Sequence, residues 1–420
     1  MDVDPGTNWT KPEIMLKAQG RHATSLNKNL PVEIIGLIFE EHAALEWKAP
    51  TVGGRVCRLW RQIMLNTPRA WGYLEIYETC CPSISQLWVW LSRSGSMPLH
   101  IRVEHTFKST NLHALYDQLA NHHTRITSLR MREGVLSFFE GREFPRMQVL
   151  DIKEWHPMGP SALRIGPMPQ LQSLRLGATD TSVEPFDGLA RLKRLALHKT
   201  SCTHPLRHTQ SLTTLMLQDI CFKNAVSGPV TFPSLTYLSL FGAPGLKSHI
   251  IAPCLTTYHE CSLGIEPREV FPVPLPSVVE YGVSGSDLHP IEWHYSFPNV
   301  QRLSMRSHPG NLMEVLYTLS YGEQLLPALQ LISVKQSFPL PFTQQEQRIM
   351  GGFVEIRSEG YNTDLALYIE NSDPGQATHI PLFSGCVSQF SSSGDFWFPN
   401  TDNRTRNILC EYRRVPSVPR

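Results

Sequence analysis

A pattern of three apolar slots, L-x-x-L-x-L, recurs from residue 126 onward and limits what this chain can fold into. Successive units are 20 to 29 residues apart, and among their thirty slots only Glu260 is neither apolar nor a tyrosine. The ten first slots are Ile126, Met147, Leu171, Leu192, Leu212, Leu235, Leu255, Val278, Val300 and Leu329. A single unit of this size cannot bury its own apolar face, whereas stacked neighbours can. The sequence therefore predicts a body of stacked units.

Proline marks the start of most units in a chain that has 33 prolines among 420 residues. It precedes the first slot by two residues at Pro145, Pro169, Pro233, Pro253, Pro276, Pro298 and Pro327. Proline has no N–H to donate to a strand ladder, so it suits the start of a strand. Phe144, Phe232 and Phe297 precede three of these prolines and are predicted to pack beneath the turn. Each unit therefore predicts a turn, a short strand and a variable return segment.

Units of 20–29 residues that contain L-x-x-L-x-L are typical of leucine-rich repeats. The fit is irregular, because Thr179, Thr200, Ile220 and Ala243 stand where the standard repeat has Asn or Cys. The predicted fold class is α/β, with an N-terminal helical segment followed by an irregular leucine-rich-repeat-like solenoid that contains a parallel sheet. The alternative is an ordinary parallel α/β domain whose strands are regularly spaced.

The composition excludes several classes of protein. Apolar residues make up 41% of the chain and charged residues 18%, which supports a large core and excludes a wholly disordered chain. A net charge of +1 predicts no nucleic-acid partner. We expect no membrane partner and no signal peptide, because no apolar run reaches 18 residues and charged residues interrupt the first twenty positions. Nine scattered cysteines without a C-x-x-C motif predict reduced thiols, as in a cytoplasmic or nuclear protein.

Upstream of the repeats, the sequence predicts two short helices and a strand. Pro31 suits the first turn of one helix, and Gly53-Gly54 separates it from a second helix that ends before Pro68. The spaced apolar residues of the helices are Ile34, Leu37, Ile38 and Leu45, then Val56, Leu59, Trp60, Ile63 and Met64. A strand is predicted at 71–76. Because two such helices cannot form a large core alone, part of their apolar surface is predicted to need a partner.

Three short motifs in this region occur at a specific spacing. They are L-P-x-E-I at 30–34, V-C-R-x-W-R at 56–61 and T-P-R-x-W at 67–71. Together they resemble the F-box of fungal F-box proteins with degenerate leucine-rich repeats, and the resemblance extends loosely through the repeats. The chain departs from the family in the short, charged, glycine-containing link from Trp47 to Arg55.

The resemblance implies an adaptor without catalysis of its own. F-box proteins dock the Skp adaptor of a cullin–RING ubiquitin ligase through the F-box, and their repeats hold a protein substrate. The residues that would dock the Skp adaptor are Leu30, Pro31, Ile34, Ile38, Val56, Cys57 and Trp60. For Phe39 and Trp71 we expect core packing instead.

A second interpretation is a leucine-rich-repeat scaffold that binds a partner without any role in ubiquitination. Its F-box-like helices would only cap the solenoid. A cap buries Leu30, Pro31 and Ile34, whereas a docking site leaves them as an apolar patch. An enzyme, a cofactor and a metal site are not expected, because the sequence contains no catalytic, phosphate-binding or metal-binding motif.

The strand period of two predicts which residues face away from the core. We number the positions of each unit from its first apolar slot, so the three apolar slots are numbers one, four and six. Slots three, five and seven then fall on the opposite, concave face of the predicted solenoid. The basic residues there are Arg130, Arg132, Lys153, Arg175, Arg194, Arg302, Arg306 and Lys335, against the acidic Asp151 and Glu280. Histidine, methionine and aromatic side chains lie in the middle units, at His198, Met216, Tyr237, Phe241 and His259.

This face is predicted to bind an acidic or phosphorylated peptide of a protein substrate. The candidate contacts are Arg130, Arg175, Arg194, Tyr237 and Arg302. The alternative is a solvated charged surface with no ligand. The predicted domains are a disordered tail at 1–28, the F-box at 29–76, a linking repeat-like segment at 77–122, the solenoid at 123–341, a C-terminal cap at 342–370 and a poorly ordered tail at 371–420.

Overall fold

A computed structural model gives the structure of the protein over fifteen stretches of the chain. These are 30–77, 81–104, 111–131, 141–152, 167–179, 191–202, 209–222, 228–243, 245–262, 270–285, 290–307, 309–321, 325–336, 343–361 and 365–370. The two predicted tails, and the basic residues Arg132 and Lys153, lie outside the described residues.

The described residues divide between two compact units. The helical unit lies within Met1–Glu75 and Pro82–His100, and the sheet unit within Ile76–Cys81 and Ile101–Arg420. The elements of the helical unit are α1 (Val32–Leu45), α2 (Ala49–Gly53), α3 (Arg58–Leu65), a 3-10 turn (Pro68–Gly72) and α4 (Ile84–Arg93).

Helices α1 and α3 are the two that the sequence predicts, and their starts have local causes. Pro31 precedes the first residue of α1, and the Cys57 thiol accepts a hydrogen bond from the Trp60 N–H at 3.4 Å, which caps α3. The link that departs from the family contains the short helix α2. The predicted strand begins only at Tyr73, because Pro68 starts a 3-10 turn that includes Trp71. The strand prediction for Trp71 is therefore wrong.

The core of the helical unit is built around tryptophans. The Trp71 and Trp90 rings lie 4.8 Å apart edge to face, and the Trp47 ring lies 5.3 Å from that of Trp90. The Trp71 indole donates a hydrogen bond to the Met64 carbonyl at 2.9 Å, so its polar atom is satisfied inside the core. Phe39 and Trp71 are buried, as the sequence predicts.

The remaining elements include sixteen strands in all. The first seven strands are β1 (Tyr73–Tyr77), β2 (Leu99–Glu104), β3 (Ile126–Met131), β4 (Val149–Ile152), β5 (Ser173–Thr179), β6 (Arg194–Cys202) and β7 (Thr214–Gln218). The next six are β8 (Cys221–Phe222), β9 (Val230–Thr231), β10 (Tyr237–Phe241), β11 (Ile250–Ile251), β12 (Thr257–Ser262) and β13 (Glu280–Gly285). The last three are β14 (Arg302–Ser307), β15 (Leu331–Gln336) and β16 (Ala366–Glu370). The other described helices are α5 (Asn111–Ala120), α6 (Pro290–Ser296), α7 (Pro309–Tyr321) and α8 (Gln344–Tyr361), with 3-10 turns at His123–Arg125 and Lys247–His249.

The fold is mixed α/β with a large parallel sheet of 13 strands. Its strand order is β1-β2-β3-β4-β5-β6-β7-β10-β12-β13-β14-β15-β16, while β8 pairs with β6 and β9 pairs with β11. Sequential neighbours in a parallel sheet need one crossover segment per strand, which is what the variable return segments supply. The α/β class and the parallel sheet are therefore confirmed.

The repeated slots form the core on one face of this sheet. Every slot except Glu260 is buried, from Ile126 at the start to Val334 at the end. Fully burying one such side chain contributes about 1.5–3 kcal/mol, so the repeats are a large source of apolar stabilisation in the sheet unit.

The prolines lie in tight turns that precede the strands. Each of the seven occupies the second position of a four-residue β-turn. The Met147 N–H, for example, donates to the Phe144 carbonyl at 3.2 Å, which makes Pro145 the second residue of a β-turn. Proline is favoured there because its fixed φ already matches the turn. Phe144, Phe232 and Phe297 are buried before these turns, as the sequence predicts.

Hydrogen bonds at slot two join neighbouring units at the start of the strands. Backbone N–H groups of slots two and three both donate to the slot-two carbonyl of the preceding unit, as Thr256 and Thr257 do to Thr236. The hydroxyls of Thr213, Thr236 and Thr256 donate to the preceding carbonyl as well, at 2.9, 3.1 and 3.0 Å. Backbone groups at this point of the repeat are thus satisfied by the next unit.

Glu260, the one polar slot, is held by three donors. Lys247 Nζ and the Tyr258 hydroxyl each lie 2.7 Å from Glu260 Oε2, and the Tyr281 hydroxyl donates to Oε1. Burial opposes ionisation of Glu260, but Lys247 and the two hydroxyls outweigh it and hold the pKa of this carboxyl below its usual value. The slot therefore carries a compensated carboxylate.

The segment predicted as a C-terminal cap, 342–370, contains helix α8 and strand β16. Thr343 and Glu346 form a capping box at the start of α8, and β16 pairs with β15. The guanidinium of buried Arg357 donates to the carbonyls of Leu325 and Leu326 at 2.8 and 2.7 Å. These contacts attach α8 to the segment that precedes β15.

Candidate functional site

Helix α1 carries apolar side chains on two sides. Ile35, Phe39 and Ala43 are buried in the core of the helical unit. The other side is exposed and comprises Ile34, Leu37, Ile38 and Leu45, and Val32 in the first turn is exposed as well. A helix of a self-sufficient unit has one apolar side, so the second side of α1 is the unusual feature.

Five of the seven residues that the F-box resemblance implies for docking are exposed. The exposed fraction is 36% for Leu30, 41% for Ile34, 50% for Ile38 and 60% for Val56. Pro31 is also exposed, whereas Cys57 and Trp60 are half-buried. We call the exposed apolar set the helical patch: Leu30, Pro31, Val32, Ile34, Leu37, Ile38, Leu45, Val56 and Leu59.

Two grooves run beside α1 in the helical patch. One, of about 540 Å³, is lined by apolar residues that include Val32, Leu37 and Leu59. Glu40 and Arg69 line it as well, and their side chains form an ion pair of 3.4 Å. The second groove is lined by Ile34, Leu37, Ile38, Glu41, His42 and Leu45. Apolar floors with charged residues among the lining groups are typical of protein-binding grooves.

Trp60 connects the patch to the core. Its ring packs edge to face against Phe39, with centroids 5.0 Å apart, while the residue remains half-buried. Arg61 Nε donates to the Gly54 carbonyl at 2.8 Å and so fixes the end of the link against α3. The V-C-R-x-W-R motif therefore caps helix α3 with Cys57, packs Trp60 against the core and attaches the link to α3 through Arg61.

The second candidate surface is the outer face of the sheet, formed by slots three, five and seven. The strand registers place slot three of neighbouring strands side by side from β6 to β14. This row reads Arg194, Thr214, Tyr237, Thr257, Glu280 and Arg302. The structure thus brings Arg194, Tyr237 and Arg302 onto one line across six strands. Arg194 and Arg302 are exposed, and Tyr237 is half-buried.

The other two candidates, Arg130 and Arg175, lie on the slot-five row on either side of Asp151. The Asp151 side chain is buried, and its Oδ1 lies 3.9 Å from Arg175 Nε. Arg302 Nη2 likewise lies 3.5 Å from Glu280 Oε2. Part of the basic charge counted in the sequence is therefore balanced by carboxylates.

Uncharged side chains occupy the middle of the outer face. The rings of Tyr237 and His259 lie 5.4 Å apart, and the His259 ring covers Gly282, where a Cβ would overlap it. Burial lowers the pKa of His259 to about 4. Burial, with a further contribution from Glu280, raises the pKa of Tyr237 to about 12. Both groups are therefore neutral at pH 7.

Some members of these surfaces escape sequence reasoning. The sequence motif for docking omits Leu37, although its helical spacing of three residues from Ile34 gives a signal. It also omits Val32, which has no such spacing with Ile34 or Ile38. On the outer face, His198 Nε2 lies 3.8 Å from Asp219 Oδ2. Asp219 follows β7 with a positive φ of 51°, a conformation that no slot pattern indicates.

No group of three metal-ligating side chains occurs in the fifteen described stretches, and none of the helices described is long and apolar enough to cross a membrane. Cys57, Cys254 and Cys261 carry thiols that form no disulfide.

Neither the models of known protein families nor the curated proteins match this chain.

Proposed function

We propose that this protein is the substrate-recognition subunit of a Skp–cullin–F-box ubiquitin ligase, working in the cytoplasm or nucleus. In this proposal the helical patch docks the Skp adaptor and the sheet unit holds a protein substrate, with no catalysis by the chain itself. The observation that carries the proposal is the exposure of Leu30, Pro31 and Ile34 on a unit whose core is already complete without them.

The physical basis is the free energy of the exposed apolar groups. Apolar surface gains about 25 cal/mol per Å² when a partner removes it from water. Val32, Leu37 and Leu59 line a groove that is open in the isolated chain, and grooves of this kind bind helices through apolar anchors. Truncating such an anchor at an interface costs about 2 kcal/mol or more.

The same observation disfavours the interpretation as a plain repeat scaffold. In that interpretation the helices would only cap the solenoid, and Leu30, Pro31 and Ile34 would be buried. Their exposure favours docking over capping.

The proposal includes an irregular leucine-rich-repeat solenoid as the architecture of the sheet unit. Three features support it: the buried slots, the β-turn that precedes each proline-marked strand, and the slot-two ladder of Thr213, Thr236 and Thr256. Each feature repeats with the period of the sequence units, as expected when every unit contacts its two neighbours.

The test is co-purification of the chain with a Skp adaptor. We expect the wild type to retain the adaptor and the double variant Leu30→Ala/Pro31→Ala to lose at least about tenfold in affinity. The matched control is Ile84→Ala/Trp88→Ala, which truncates two exposed apolar residues on α4 of the same unit. The control should bind like the wild type.

Thermal melts separate docking from folding. All three proteins should melt together, because the truncated side chains are exposed. A wild type that does not bind the adaptor, or a Leu30→Ala/Pro31→Ala variant that binds as well as the wild type, would contradict the proposal.

A further inference from the structure

Positive charge lies at both ends of the slot-three row on the outer face. Arg194 marks the β6 end and Arg302 the β14 end, and both are exposed. Arg194 forms no ion pair within the described part of the chain. Arg302 lies 3.5 Å from Glu280, but its side chain is 53% exposed and so stays open to a carboxylate of a ligand. Arg306, four residues further along β14, adds a positive charge beside the row.

The middle of the same face has a different chemistry. Met216 and His259 are buried, and Tyr237 and Phe241 are half-buried, so the face from Thr214 to Thr257 of the row is largely apolar and aromatic. The carboxylates beside it lie close to other groups: Glu280 is 3.5 Å from Arg302, and Asp219 is 3.8 Å from His198. A ligand that crosses this face would meet a positive end, an apolar and aromatic middle, and a second positive end.

The separation of the two ends sets the length of such a ligand. Five strand spacings of about 4.8 Å separate Arg194 from Arg302, which gives about 24 Å. An extended peptide advances about 3.4 Å per residue, so about seven residues cover this distance.

We propose that the outer face from β6 to β14 binds an extended protein segment that carries Asp or Glu at both ends and an apolar or aromatic residue between them. The identification of this segment as a ubiquitination substrate rests on the proposed function, whereas its chemistry rests on the face itself. Arg194 and Arg302 pair with the acidic ends, and Tyr237 packs against the middle.

The spread of the arginines favours carboxylates over a phosphate. A phosphate group is held best by guanidinium groups that converge on it. Arg302 and Arg306 start about 13 Å apart on one strand, and Arg194 lies on a strand far from both. Separate single charges therefore match separate Asp or Glu side chains.

The test uses the full chain and a fluorescent peptide of about nine residues with two glutamates at each end, one phenylalanine in the centre and serine elsewhere. Anisotropy should show saturable binding. Arg194→Glu and Arg302→Glu should each weaken it by about tenfold or more, and Tyr237→Ala by about tenfold. Arg194→Gln and Arg302→Gln should give smaller losses in the same direction, which covers the case in which a charge reversal disturbs folding.

Matched controls remove the same groups elsewhere on the sheet unit. Arg191→Glu changes an exposed arginine outside the row, and Tyr317→Ala removes an exposed tyrosine on α7. Both should bind within about twofold of the wild type. Equal losses in Arg191→Glu and Arg194→Glu would show nonspecific attraction and overturn the proposal.

Three further peptides test the chemistry. Lysines in place of the glutamates, or all four glutamates gathered at one end, should weaken binding by about tenfold or more. Tighter binding of a peptide with a single central phosphoserine would overturn the carboxylate assignment. Skp-adaptor binding is measured in parallel: a chain that binds the adaptor but not the acidic peptide overturns this inference alone, and the reverse result overturns only the proposed function.

Discussion

In the helical unit, leucine, isoleucine and valine side chains line open grooves beside α1, whereas in the sheet unit the repeated apolar slots are buried with the single exception of Glu260. The sheet unit shows the solvent a mixed face of arginines, threonines and half-buried aromatic groups. The difference indicates two kinds of recognition, in which an apolar partner suits the helices and a charged, extended partner suits the sheet.

The largest effect should come from the same substitution made in each unit. Leu238→Ala empties a fully buried slot in β10 and should lower the free energy of unfolding by about 2–5 kcal/mol. Leu37→Ala truncates a side chain that is 55% exposed and should change it by less than about 0.5 kcal/mol. Urea unfolding of both variants measures the contrast. Similar losses would mean that the helical patch is packed and not open.

The next largest change in the free energy of unfolding is expected at Glu260, the one polar slot. Lys247→Met removes the cation from Glu260, whose side chain is 19% exposed, and should destabilise the chain by about 2–3 kcal/mol at pH 7. The double variant Lys247→Met/Glu260→Leu should recover most of this loss, because no carboxylate then lacks its cation.

Lowering the pH should reduce the stability that Glu260 contributes. Because the folded chain lowers the pKa of Glu260, the stability it contributes is present above the ordinary carboxyl pKa and is lost as the pH falls through the lowered value. Chemical unfolding from pH 7 to pH 3 measures this. A Lys247→Met variant as stable as the wild type would contradict the role given to the ion pair.

His259 should make the outer face sensitive to mild acid. Burial lowers its pKa to about 4 from about 6.5 in the unfolded chain, so its contribution is present above pH 6.5 and declines as the pH falls toward 4. Between pH 7 and pH 5 the wild type should lose about 2 kcal/mol more than His259→Leu. The exposed His42→Asn serves as control and should show the full wild-type loss. Equal losses in the wild type and His259→Leu would contradict a buried neutral imidazole.

The smallest effect concerns the cap of α3. Cysteine is a weak cap, so Cys57→Ser should raise the free energy of unfolding by about 0.5 kcal/mol and Cys57→Ala should lower it by about as much. Differential scanning calorimetry of the isolated chain measures both. A destabilised Cys57→Ser variant would show that the thiol acts through packing and not through its hydrogen bond to the Trp60 N–H.

Most of the sheet could be predicted because one physical rule repeats. Each apolar slot needs an apolar side chain, and each proline suits the second position of the turn before a strand. The sequence alone therefore places Pro233 in a turn and Leu235 in the core. The partners of Glu260 could not be predicted, because Lys247 and Tyr281 are 13 and 21 residues away and reach it only through the fold. The slot pattern likewise gives no sign that Asp151 is buried between Arg130 and Arg175.

The helices show the limit of periodicity. Helical spacing identifies both Ile34 with Ile38 and Ile35 with Phe39 as apolar pairs on α1, but it does not say which pair is buried. The tryptophans decide this, because Trp71 and Trp90 are brought together by segments on either side of β1. The choice of side is therefore a tertiary effect, and it is what creates the helical patch.

Hydrogen exchange of the full chain, with and without a saturating Skp adaptor, tests whether the helical patch is the docking surface. We expect slower exchange in α1 and α3 on adding the adaptor, and no change in the strands from β6 to β14. Unchanged exchange in α1, or protection confined to the sheet unit, would contradict the assignment of the helical patch as the docking surface.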